Sequence, residues 1–129
     1  MSPEKLMIGD WVLYKDKPIM VWEIDEYYDR INTEPDGYNS IRCIEISDIK
    51  PILLTPEILE QNGFVKDNCG EMTLELDDAL GTTEIVLVPS YDGVYYWWKV
   101  SNELITKIKS IHELQHVLRL CKINKAIIL

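Results

Sequence analysis

Apolar and polar residues alternate with a period of two along most of this chain, and take helical spacing in two places. Gly9 and Asp10 precede WVLY, a β-rich run, and Asp16-Lys17 with Pro18 then reads as a turn. In the next run, IMVWEIDEYY, Met20, Trp22 and Ile24 alternate with Ile19, Val21, Glu23 and Asp25, which predicts a strand with Met20, Trp22 and Ile24 inward. Residues 32–37, NTEPDG, carry the Pro-Asp-Gly turn signal. Ser40 to Ile46 is a further strand, with Ile44 and Ile46 on one face. Such short strands predict a small, bent antiparallel sheet or a barrel of the Src-homology-3 (SH3-like) kind.

TPEILEQNGF predicts a short helix. Thr55 caps it, Pro56 suits its first position, Glu57 suits its positive end, and Gly63 stops it so that Phe64 packs back on the last turn. Strands follow at Met72–Leu76, Glu84–Pro89, Val94–Val100 and Leu104–Ile108, with Asp77-Asp78, Gly81 and Tyr91-Asp92-Gly93 between them. Ser110 opens a second helix that runs to about Cys121, and the tail KAIIL adds a short strand or packs under the sheet. The expected class is α+β. A small β-rich subdomain spans 1–54, and a short helix, a β-meander and a C-terminal helix packed on it span 55–129, with one continuous core as the alternative.

Charge narrows the functions. The 129 residues carry a formal charge of −9, and 47% of them are hydrophobic, enough for a core. Residues 1–54 hold six basic and eleven acidic groups, and residues 55–109 hold four and ten. Residues 110–129 reverse the sign, with three basic groups and one acidic. Generic binding to a nucleic-acid backbone needs a basic face, so nucleic acid is not the expected partner; an acidic mimic of DNA is a better fit to this charge. The three cysteines, Cys43, Cys69 and Cys121, have no C-x-x-C spacing, which argues against a disulfide framework or a zinc ribbon. The N-terminus shows no apolar signal core, and no apolar run reaches the roughly 18 residues of a membrane span, so a cytoplasmic protein is expected.

One motif offers chemistry. His112-Glu113-Leu114-Gln115-His116 matches H-E-x-x-H, where two histidines one helical turn apart bind zinc and the glutamate is the general base. A catalytic zinc needs a third protein ligand. Downstream of His116 there is no His, Asp or Glu, and the glycine and histidine of the extended metzincin pattern are Arg119 and Lys122 here. Ser110-Ile111-His112-Glu113 is also a capping box, an ordinary duty for the glutamate. On a helical wheel Ile111, Leu114, Val117, Leu118 and Cys121 form the core stripe, which directs His112 and His116 outward with Arg119 beside them. No catalytic residue, metal ligand or cofactor is assigned on this reading; a metal-dependent hydrolase using HELQH is the rival.

The densest aromatic block is Tyr95-Tyr96-Trp97-Trp98. On a strand Tyr95, Trp97 and Lys99 share one face, which either lies under a helix or forms an exposed binding patch. Tyr95, Trp97, His112, His116 and Arg119 are therefore the candidate contact residues, for an unidentified protein partner or for self-association.

Three blocks carry a resemblance: IGDWV, DIKPILLTPEILEQNGF and IKSIHELQHVLRLCKINKAI. In this order they resemble the small proteins of uncharacterised function found in gut Bacteroidales genomes, prophages and mobile elements, over nearly the whole chain. In that family the position of Glu113 is often Gln and that of His116 often Asn, which implies that the peptidase signature is an accident of a structural helix. Leu53 stands where the family has a proline, and Ser110 where it has an aromatic residue. The resemblance carries no activity; it implies a non-enzymatic accessory or interaction protein of phage or mobile-element origin.

Overall fold

The computed structural model describes residues 6–33, 43–78, 81–123 and 125–129. The strands are β1 (Trp11–Tyr14), β2 (Lys17–Asp25), β3 (Arg30–Thr33), β4 (Ile44–Glu45) and β5 (Ile49–Pro51). After α1 (Pro56–Gln61) come β6 (Val65–Lys66), β7 (Met72–Asp78), β8 (Gly81–Pro89), β9 (Tyr96–Val100) and β10 (Glu103–Ile108), and then α2 (Ile111–Leu120). The class is α+β, with two five-stranded antiparallel sheets among the described residues. The chain divides into two compact units. One joins Met1–Leu53 to Ser110–Lys125, and the other joins Leu54–Lys109 to Ala126–Leu129.

In the first unit the strand order is β4-β3-β2-β1-β5. A single 3-10 turn, Ile46–Asp48, separates β4 from β5. This is the strand order of an SH3-type meander, left open because β4 and β5 do not pair among the described residues. Lys15 (φ 50°) and Asp16 (φ 63°) make a two-residue hairpin loop with both residues left-handed, the turn whose twist matches the strands it joins. Pro18 is tolerated in β2 because β3 pairs only from Val21 onward, so no partner needs the missing N–H.

The inward face of β2 differs from the expectation. Val21 is buried and Ile19 packs on the core, whereas Trp22 is 43% exposed and Met20 is half-buried. A bulge between Val21 and Glu23 then shifts the phase, so that Ile24 turns back toward the core. A one-residue slip exchanges the faces of a strand, which is why simple alternation placed Met20 and Trp22 inside. Val12, Val21, Ile31, Ile44, Ile46 and Ile49 form the core of this unit. The NTEPDG turn from Glu34 onward, and the Ser40–Arg42 start of the next strand, lie outside the described residues.

In the second unit α1 forms as its sequence requires. Thr55 Oγ1 accepts from Ile58 N at 3.2 Å. Gly63 (φ 93°) lets Phe64 N reach Leu59 O at 3.0 Å and Gly63 N reach Glu60 O at 3.1 Å, a Schellman stop. Leu59 and Phe64 are buried as a result. The sheet order is β10-β9-β8-β7-β6. Met72 pairs with Leu87 and Leu74 with Ile85, and these residues, with Tyr96 and Ile108, are buried on one face. The apolar tail does not form a strand. Asn62, itself buried, holds it by accepting from Ile128 N at 2.7 Å and donating to Ile128 O at 2.9 Å.

The last helix was expected to group with the meander. It groups instead with the N-terminal sheet, through contacts with β1 and the turn before it. Among the described residues no helix is long and apolar enough to cross a membrane.

Candidate functional site

The HELQH segment forms the first two turns of α2. Ser110 caps it: its Oγ accepts from Glu113 N at 3.4 Å and donates to Glu113 Oε1 at 2.9 Å. Glu113 thus reaches the Ser110 hydroxyl rather than the Ser110 amide of a standard capping box. Ser110 Oγ is also 3.1 Å from His112 Nδ1. The hydroxyl has one hydrogen and a carboxylate is the stronger acceptor, so Nδ1 carries its own hydrogen and donates to Oγ.

The polar side of α2 is largely covered, with Glu113, His116 and Arg119 only partly exposed. His112 is 5% exposed, Gln115 is buried, and the stripe of Ile111, Leu114, Val117 and Leu118 is buried as well. The expectation that the histidines point outward is therefore corrected for His112, which is buried, while His116 is partly exposed. The wheel identifies the apolar stripe, but it does not show that a second surface covers the other side. That surface is the turn ahead of β1. Gln115 Oε1 accepts from Trp11 N and its Nε2 donates to Gly9 O, both at 2.9 Å, so one side-chain amide spans the turn.

Asp10, with no exposed surface, is the centre of this arrangement. Its Oδ2 accepts from Met7 N and from His116 Nε2, each at 2.7 Å, and its Oδ1 accepts from Arg119 Nη1 at 2.9 Å. A buried carboxylate is tolerable only when paired and hydrogen-bonded, and α2 brings both partners, the Arg119 guanidinium and the His116 ring, from one face, three residues apart. Gly9 makes the approach possible. Its φ is 93°, and a Cβ there would lie 3.0 Å from Arg119 Nη2. Neither Asp10 nor Gln115 stood out in the sequence; their only signal was the Gly-Asp of the IGDWV block.

The histidines sit with ring centroids 5.7 Å apart. Burial holds His112 below the ordinary histidine value; Asp10 and Glu113 act against that shift, and His116 adds to it. His116 Nε2 is taken by Asp10 and His112 Nδ1 by Ser110. Among the described residues no group of three or more His, Cys, Asp or Glu is arranged to hold a metal ion. One ring nitrogen of each histidine is thus engaged within the fold, and the Glu113 carboxylate is engaged by the Ser110 hydroxyl.

Tyr95 and Trp97 belong to the other unit. Both are half-buried, and their rings meet edge to face with centroids 5.7 Å apart. Lys107, paired with Trp97 across β9 and β10, lays its ammonium 4.9 Å from the Tyr95 centroid and 5.3 Å from that of Trp97. Lys99 on the same face is 3.5 Å from Glu71. This face is thus an ordered aromatic strip with two cations. His112, His116 and Arg119 form a different, internal arrangement.

No family model matches the chain, and neither a curated protein nor a solved structure matches it.

Proposed function

We propose that this chain is a non-enzymatic accessory or interaction protein that binds a partner protein through the Tyr95–Trp97–Lys107 face of its second sheet. The observation that supports this reading is the aromatic pair itself. Two large rings, one just ahead of β9 and one within it, meet edge to face and are half-buried, with a lysine already seated over both. Tyrosine and tryptophan dominate the energetics of protein contacts because they present much area with little rotamer freedom to lose. The face of α2, the other candidate surface, is occupied by its own fold. The resemblance to proteins of prophages and mobile elements fits an accessory role in such an element, within the cytoplasm.

The test is photo-crosslinking from position 104, at the rim of this face. Adducts are competed with unlabelled wild-type chain or with the Trp97→Ala variant. Specific adducts should disappear with wild-type competitor and persist with Trp97→Ala. Equal competition by both would sink the proposal.

A further inference from the structure

The second sheet has an incomplete edge. β6 covers only two residues of β7, Val65 opposite Thr73 and Lys66 opposite Met72. β7 continues to Asp78, and from Leu74 onward no strand flanks the side away from β8, among the described residues. Alternate backbone N–H and C=O groups along that side have no ladder partner, which makes it a template for an added strand. A groove of about 520 Å³ lies beside it, lined by residues including Val65, Lys66, Asp67, Thr73, Glu75 and Glu84.

The groove breaks a local rule. Glu75 and Glu84 stand directly opposite each other across β7 and β8, both exposed. Like charges in that position destabilise a strand pair. Among the described residues neither carboxylate has a cation within ion-pair distance. Val65, the first residue of β6, is exposed too, a bare apolar contact beside the open part of β7.

The geometry points to strand addition: an extended, lysine- or arginine-bearing segment of a partner protein pairs with Leu74–Asp78 and continues the line of β6. Main-chain hydrogen bonds to the open edge hold it, and every second side chain lies over the groove, because side chains of a strand alternate. The face that meets them carries Thr73, Glu75 and Glu84, so cations at those positions relieve the opposed carboxylates. This site does not depend on the Tyr95–Trp97 surface.

Two short capped peptides serve as probes, one alternating lysine with valine and one alternating glutamate with valine. Binding to the full chain is read by fluorescence anisotropy, and backbone protection by hydrogen exchange. The lysine peptide should bind and slow exchange within residues 74–78, and the glutamate peptide should not bind. Exchanging both carboxylates in the Glu75→Gln/Glu84→Gln variant should weaken binding about tenfold, as expected for two exposed charge pairs. Trp97→Ala should leave it unchanged. Equal binding of the two peptides, no binding of either, or binding without added protection at 74–78 would overturn the proposal. Since Glu75 and Glu84 are exposed and the glutamines keep their shape, loss of binding in this variant reads charge rather than unfolding.

Discussion

The polar face of α2 and the outer side of the second sheet look alike in sequence: each mixes charge, aromatic rings and apolar residues at regular spacing. In the structure they differ in one respect. On α2 each polar group described has a partner within its own unit, with Asp10 receiving Met7, His116 and Arg119 and Gln115 spanning Gly9 and Trp11. On the sheet, Glu75 faces Glu84, and two aromatic rings are only half-buried. A satisfied buried network stabilises and specifies a fold. Surface groups left in conflict are better candidates for contact with another molecule.

The sharpest way to break this comparison is to remove Asp10. Asp10→Ala leaves Arg119 and His116 without their carboxylate and Met7 N without its acceptor. Loss of one member of a buried charged pair costs about 3–5 kcal/mol, and the partial exposure of Arg119 and His116 places this case near the lower end. Urea unfolding should show a lower midpoint, with α2 the first element to lose amide protection. A shift no larger than that of a surface substitution would mean that the cluster is not what holds the helix.

Gly9→Ala tests the same clasp from its backbone. A left-handed φ costs a non-glycine residue about 1–2 kcal/mol, and the new methyl would also press on Arg119. Thermal unfolding should therefore show a loss smaller than that of Asp10→Ala. The two losses should add to less than their sum, because both act through Arg119.

His112 gives a pH signature. Its value in the folded state is depressed, so as pH falls below about 6.5 the unfolded chain takes up a proton that the folded chain does not. Stability from this group is complete above that pH and declines below it, toward the lower folded value. Denaturation midpoints measured across that window should fall with acid, and His112→Gln should flatten the fall. An unchanged pH slope in the variant would place the acid sensitivity elsewhere.

These contrasts also mark what could be read from the chain alone. The α1 helix was legible because its cap, its first-position proline and its Gly63-Phe64 stop act within ten residues of one another. Likewise the two-residue spacing of Tyr95 and Trp97 was read as one face, and their rings do meet, although Tyr95 lies one residue ahead of β9. The inward face of β2 was misread because one bulge, set by pairing with β3, reverses the phase at Trp22. The clasp was illegible for a related reason. Its partners are 106 and 109 positions apart, and a helical wheel contains no information about a carboxylate supplied by a distant turn.

The smallest expected effect is the most discriminating for the sheet. Glu84→Lys replaces two opposed carboxylates by an opposite-charge pair, and a cross-strand pair of that kind contributes about 0.2–1 kcal/mol. Thermal unfolding at low salt should show a small gain in stability, reduced by added salt because both groups are exposed. The same substitution places a cation in the groove and should weaken its hold on the lysine–valine peptide. A variant that is more stable and binds less well would show that the conflict between Glu75 and Glu84 is retained at the expense of the fold. If stability falls instead, the two carboxylates are not in conflict, and the charge argument for the groove fails with them.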